Sequence, residues 1–160
     1  SVKWTDQFGL DVQICCKTLP STGLGKLWRH CYLSRTDPVT GIESTWGLHG
    51  EAGFTRGRTY RNHNFDLGNF NNRQCGPSDP DPSDDRWRCI NDAARSYPEL
   101  SRYSLTGPNS NTFASNCSCG LTPPPLVESG NPLTSPTPGW GMSPAPPYAS
   151  PLGPLDFFDE

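Results

Sequence analysis

Seven cysteines set the terms on which this chain can fold. They stand at Cys15, Cys16, Cys31, Cys75, Cys89, Cys117 and Cys119, a density typical of domains that supplement a limited apolar core with disulfides in an oxidising compartment. The supplement is needed here. Only 32% of the 160 residues are hydrophobic, and 18 prolines and 16 glycines break up long periodic runs, which excludes a regular helical bundle. Cys75 and Cys89 flank a loop of roughly fifteen residues, whose closure by a disulfide contributes about 3 kcal/mol in the chain-entropy model. That pair is the first expected bridge, with Cys117 and Cys119 as the other disulfide candidates.

No segment approaches the roughly 20 apolar residues that a membrane-crossing helix needs, and the first residues lack the basic-then-apolar layout of a cleaved signal peptide. Together with the cysteines, this implies a domain delivered by a larger machine or cut from a longer polypeptide. The formal net charge of -3 argues against affinity built on neutralising phosphates, so no nucleic-acid partner is expected.

Three strands are legible between 11 and 49. "DVQICCKTLP" is β-branched and apolar up to Pro20, "KLWRHCYLS" is a second run, and "IESTWGLHG" pairs back across the turn "TDPVTG". The stretch from Glu51 to Asp85, rich in Gly, Asn, Asp and Pro, reads as a long loop. "SDDRWRCINDAARSYPEL" is the best helix: Ser83 or Asp84 caps it, Trp87, Ile90 and Ala94 share a face, and Pro98 stops it. "SRYSL" follows as a short strand. From Leu121 onward Pro, Ser and Gly recur without period, so 121–160 reads as an extended or disordered tail, with Trp140, Tyr148, Phe157 and Phe158 as docking candidates.

"GPNSNTFASNCSCG" (107–120) places Asn109 as a helix cap and Ser110 in the first turn. A hydroxyl there gains from free backbone N–H groups, which also stabilise an oxyanion. It still needs a base. His30, inside the second strand, is the candidate base, His49 at the end of the third strand is the candidate orienting partner, and His63 lies in the loop. Asn109, Asn111 and Thr112 are the positioning or oxyanion candidates. No paired C-x-x-C or H-x-x-x-H spacing is present, so no metal and no cofactor are expected.

The opening "DQFGLDVQIC" resembles the junction of Rhs/YD-repeat polymorphic toxins, with Asp6, Gly9 and Leu10 matching and Gln7 in place of the common proline. The region Asp11 to Gly120 resembles C-terminal toxin domains with a circularly permuted papain-like fold, related to NlpC-type peptidases and lecithin:retinol acyltransferase. That resemblance rests on His30 in "RHCYL" and on Gly107, Asn109, Ser110, Thr112 and Phe113 in the nucleophile motif. It implies residues 1–10 as a junction remnant and 11–120 as a hydrolase domain of α+β class. In that domain a small antiparallel sheet packs on the helix bearing Ser110, with long disulfide-stapled loops. Serine stands where the pattern has cysteine; a natural serine nucleophile, a natural loss of activity and an introduced Cys→Ser change all remain open.

The leading functional expectation is an interbacterial toxin. Ser110 would attack membrane lipid acyl esters or peptidoglycan amides with His30 as base, in the periplasm of a target cell. The resemblance further implies an Rhs shell that encapsulates the domain in the producer's cytoplasm, and a cognate immunity protein. A non-catalytic disulfide-stapled binding module is the alternative, and a metal-dependent nuclease built around His63 is the third reading.

Overall fold

The computed structural model describes residues 10–19, 28–51, 55–128, 135–144 and 146–147. The expected junction residues Asp6 and Gly9 lie outside these, as do Tyr148, Phe157 and Phe158. The fold is α+β. Its strands are β1 (Leu10–Thr18), β2 (Arg29–Thr36), β3 (Glu43–Glu51), β4 (Arg56–Arg61), β5 (Gln74–Cys75), β6 (Asp79–Asp81) and β7 (Ser101–Arg102). They form one antiparallel sheet in the order β5-β1-β2-β3-β4-β7, with β6 also pairing β1. The expected β1–β2–β3 core is present. The expected 51–85 loop instead supplies β4, β5 and β6, because Arg56–Arg61 pairs with β3 and two short segments edge β1.

Among the described residues the helices are α1 (Asp85–Ser96) and α2 (Ser110–Asn116). Trp87, Ile90 and Ala94 are the buried face of α1, as their spacing requires. Its cap differs from expectation. Asp84 occupies the N-cap position in a left-handed conformation without a side-chain capping bond, its carboxylate accepting from Arg35, and Asp81 accepts instead from Arg86 N–H at 3.1 Å and Trp87 N–H at 2.9 Å. A carboxylate from β6 therefore both satisfies the helix start and ties it to the sheet.

Alternation divides the sheet into two chemically different faces. Val12, Ile14 and Cys16 of β1, Cys31 and Leu33 of β2, and Trp46 and Leu48 of β3 look toward the helices, where they meet Trp87, Ile90, Phe113 and Ala114. The other face carries Cys15, Lys17, His30, Tyr32, Gly47 and His49, and the loop 62–73 folds over it: Lys17 and His30 bond to it, and Arg73 reaches Cys15.

The disulfides are Cys15–Cys75, Cys16–Cys31 and Cys89–Cys119. The expected Cys75–Cys89 bridge is not formed. β5 brings Cys75 directly opposite Cys15 in the antiparallel register, and α1 turns Cys89 toward Cys119. Cys117, expected to be bridged, is a free buried thiol, and burial pushes its pKa up to about 12.

Part of the proline-rich segment is built into the domain. Pro136 O accepts from Arg29 N–H at 2.7 Å, Pro138 O accepts from the Asn111 amide at 3.0 Å, and Gly139 O accepts from the Thr112 hydroxyl at 2.7 Å. Ser135, Thr137 and Gly139 are buried, and Trp140 packs against the core. Gly139 has φ +88, and a Cβ there would lie 2.4 Å from the Gly107 carbonyl oxygen. Only glycine fits this strap against the start of α2.

Candidate functional site

The face under the loop 62–73 holds the densest chemistry. Asp66 is fully buried, and each carboxylate oxygen takes one imidazole: His30 Nε2 at 2.6 Å on Oδ1 and His49 Nε2 at 2.9 Å on Oδ2. The two rings lie 4.5 Å apart between centroids, and His63 stacks on His49 at 3.6 Å. His30 is 3% exposed and His49 15%, so His49 is the member nearer solvent.

Three features bring Asp66 to this spot. Gly47 leaves room, since a Cβ there would sit 2.3 Å from Asp66 Oδ2. Lys17, directly opposite His30 on β1, donates through Nζ to the carbonyls of Phe65 at 2.7 Å and Leu67 at 2.9 Å, the two residues that flank Asp66. Its ammonium also lies 3.7 Å from the Phe70 ring centroid. A buried cation that satisfies two carbonyls and faces aromatic rings fixes the loop without bonding the carboxylate itself. Burial and then Arg73 push the Lys17 pKa below its ordinary value.

Burial alone would raise the Asp66 pKa. The charge of His30 and hydrogen bonds from both histidines outweigh it and hold the carboxyl well below the usual range. His49 is shifted below 6.5 by burial and by neighbouring His30, and His63 below 6.5 by burial and His49. Both histidines therefore take up protons more readily in the unfolded chain, and stability falls as pH drops through 6.5. The Asp66 contribution is complete above its ordinary 3.8 and is lost only below that value, so the two windows do not overlap. Melting temperatures in chelator are expected to be level above about pH 7.5 and to decline between about pH 6.5 and 5. A flat profile down to about pH 5 would contradict this assignment.

Ser110 is not among the direct partners of Asp66. It starts α2, which packs on the Cys31 and Leu33 face, while His30, the residue before Cys31, points to the opposite face. The Tyr103 hydroxyl oxygen accepts from the Ser110 backbone N–H and meets the Ser110 hydroxyl, and burial, which outweighs these contacts, raises its pKa and keeps it protonated. The structure thus joins His30 to His49 through Asp66, while Ser110 meets Tyr103. The expected oxyanion group is also committed. Asn109 accepts from the N–H groups of Asn111 and Thr112 in a capping box. Asn111 accepts from Cys31 N–H at 2.9 Å and donates to Arg29 O at 3.0 Å. Thr112 bonds Asn109 and the strap. These three residues dock α2 onto β2 and leave no free helix-start donors among them for a substrate.

Asp66, Lys17 and Tyr103 were missed by the sequence reading. The spacings of 36 residues from His30 to Asp66 and 17 from His49 to Asp66 carry no motif. The one available signal was "GLHG", where a glycine two residues before a strand histidine marks a close approach from above. Comparison of the chain with protein-family models, curated proteins and solved structures returned no match.

Proposed function

We propose that this chain is a hydrolase whose proton-transfer centre is Asp66 with His30 and His49, in the toxin-effector setting that the Rhs-like junction implies. The observation that supports it is a single buried carboxylate accepting from two imidazoles through Nε2. In the neutral form each ring then presents the Nδ1 lone pair as a base. His49, shifted below 6.5, is neutral near pH 7 and is the more accessible ring. It takes a proton from water as the water attacks an acyl carbon, and the imidazolium returns that proton to the leaving alcohol or amine. Asp66 stabilises the imidazolium and fixes its orientation. Substrates of the class are acyl esters of membrane lipid or amides of peptidoglycan, with a cognate immunity protein and an Rhs shell as partners. A permuted papain-like assignment would further require α2 to present Ser110 to His30.

A second reading rests on burial: Asp66 at 0% and His30 at 3% exposure also suit an internal network in a binding module. Periplasmic expression of the wild type, Ser110→Ala, His49→Ala and Asp66→Asn separates these readings, with growth, released fatty acid and released peptidoglycan fragments as readouts. The expected result is activity in the wild type and Ser110→Ala, and silence in the other two. Silence of a normally melting Ser110→Ala returns the nucleophile to serine. Equal behaviour of all four supports the binding module.

A further inference from the structure

We propose that His30, His49 and Asp66 form a binding site for one Zn2+, or a chemically similar borderline divalent cation, and that this occupancy excludes their use as an acid–base centre. The inference concerns the same side chains as the function proposed above but goes beyond it, because it rests on donor geometry and charge. The three residues offer two imidazole nitrogens and one carboxylate oxygen, with the candidate ligand atoms all within 4.8 Å of one another. Two histidines and a carboxylate with a fourth position for water is a donor set zinc takes in hydrolytic sites. Tetrahedral zinc spaces its ligand atoms about 3.3 Å apart, so the 2.6 and 2.9 Å pairs open slightly and any wider pair in the set, within 4.8 Å, closes onto the ion.

The surroundings favour a cation. Asp66 is a fully buried anion whose direct side-chain partners are the two imidazoles, while the nearest ammonium, on Lys17, is spent on the Phe65 and Leu67 carbonyls. The ligands come from β2, β3 and a loop clamped by Lys17, so the set is pre-assembled, and His49 at 15% exposure gives an approach from solvent. Coordination through Nε2 moves each ring proton from Nε2 to Nδ1. No proton is lost from a neutral ring, but the Nδ1 lone pair that would serve as base is filled. Zinc binding and general-base action at His49 are therefore mutually exclusive.

The test uses the oxidised full chain, stripped with chelator and titrated with Zn2+ by calorimetry and with Co2+ by visible absorption. The expected result is one ion per chain at micromolar affinity or tighter, on the scale of about -8 kcal/mol, with a cobalt spectrum lacking a thiolate charge-transfer band. Histidine 15N spectra should show the ring proton moving from Nε2 to Nδ1 on zinc addition. Asp66→Asn and His49→Gln should each weaken binding at least about 100-fold, while Cys117→Ser leaves it intact. No binding at about 0.1 mM zinc overturns the proposal, as does binding that survives both ligand variants or vanishes in Cys117→Ser. If a ligand variant is unfolded, the 15N shift in the wild type decides alone. Binding without any hydrolysis leaves the metal site standing and removes the proposed function; hydrolysis by protein that binds no zinc does the reverse.

Discussion

Asp66→Asn is expected to lower turnover on the order of 10⁴-fold, the scale seen when the carboxylate behind a catalytic histidine becomes an amide. The reason is specific to this cluster. Asp66 supplies two acceptors, one to His30 and one to His49; asparagine supplies one acceptor and one donor. One of the two rings must then change tautomer or lose its bond, at a folding cost of about 1–3 kcal/mol for the buried polar mismatch. Gly47→Ala tests the same point without touching the charge, because its Cβ would fall 2.3 Å from Asp66 Oδ2 and push the carboxylate off the rings. It should reproduce most of the loss. Turnover within about threefold of wild type in Asp66→Asn, measured on folded protein, would remove Asp66 from the chemistry.

How much of this was legible in the sequence depends on which interactions are local. The strands from 11 to 49 and the face of α1 were readable because alternation and the 3.6-residue period are properties of the segments themselves. β4 to β6 were not, since Arg56–Arg61 and the short strands β5 and β6 exist only by pairing with β3 and β1, whereas β7, which pairs β4, falls in the expected strand "SRYSL". Alternation also places His30 and Cys31 on opposite faces, and that much was readable. Which face receives α2 was not, because the choice is made by Phe113 and Ala114 packing toward Leu33 and Cys31. That single long-range choice sets where the start of α2 stands relative to the histidine strand.

The proline-rich strap makes the same point from the other side. Composition pointed to a tail, because proline cannot join a helix interior or a central strand. The carbonyls of Pro136 and Pro138 are nonetheless free to accept, and the amides of Arg29, Asn109 and Asn111 supply the donors. Composition excluded the regular structures without excluding this irregular docked one.

Reduction of the disulfides is expected to unfold the domain at 37 °C. The bridges close sequence separations of 60, 15 and 30 residues, each worth about 3–4 kcal/mol in the chain-entropy model. The net stability of a domain is about 5–15 kcal/mol, so losing all three removes most or all of it. Cys15 and Cys16 are consecutive on β1 and point to opposite faces, one holding β5 and the other β2. Their loss releases β1 from both neighbours at once, next to Lys17 and hence to the clamp on Asp66. Thermal melts of the oxidised chain, and of the same chain reduced under mild denaturant and exchanged back, should show a cooperative transition only in the first. A reduced chain melting within about 5 °C of the oxidised one would show that the core alone suffices. With the expected outcome, the chain is folded and competent only where thiols are oxidised, so its assembly is coupled to its compartment. A compartment that keeps it reduced would hold it without an organised site.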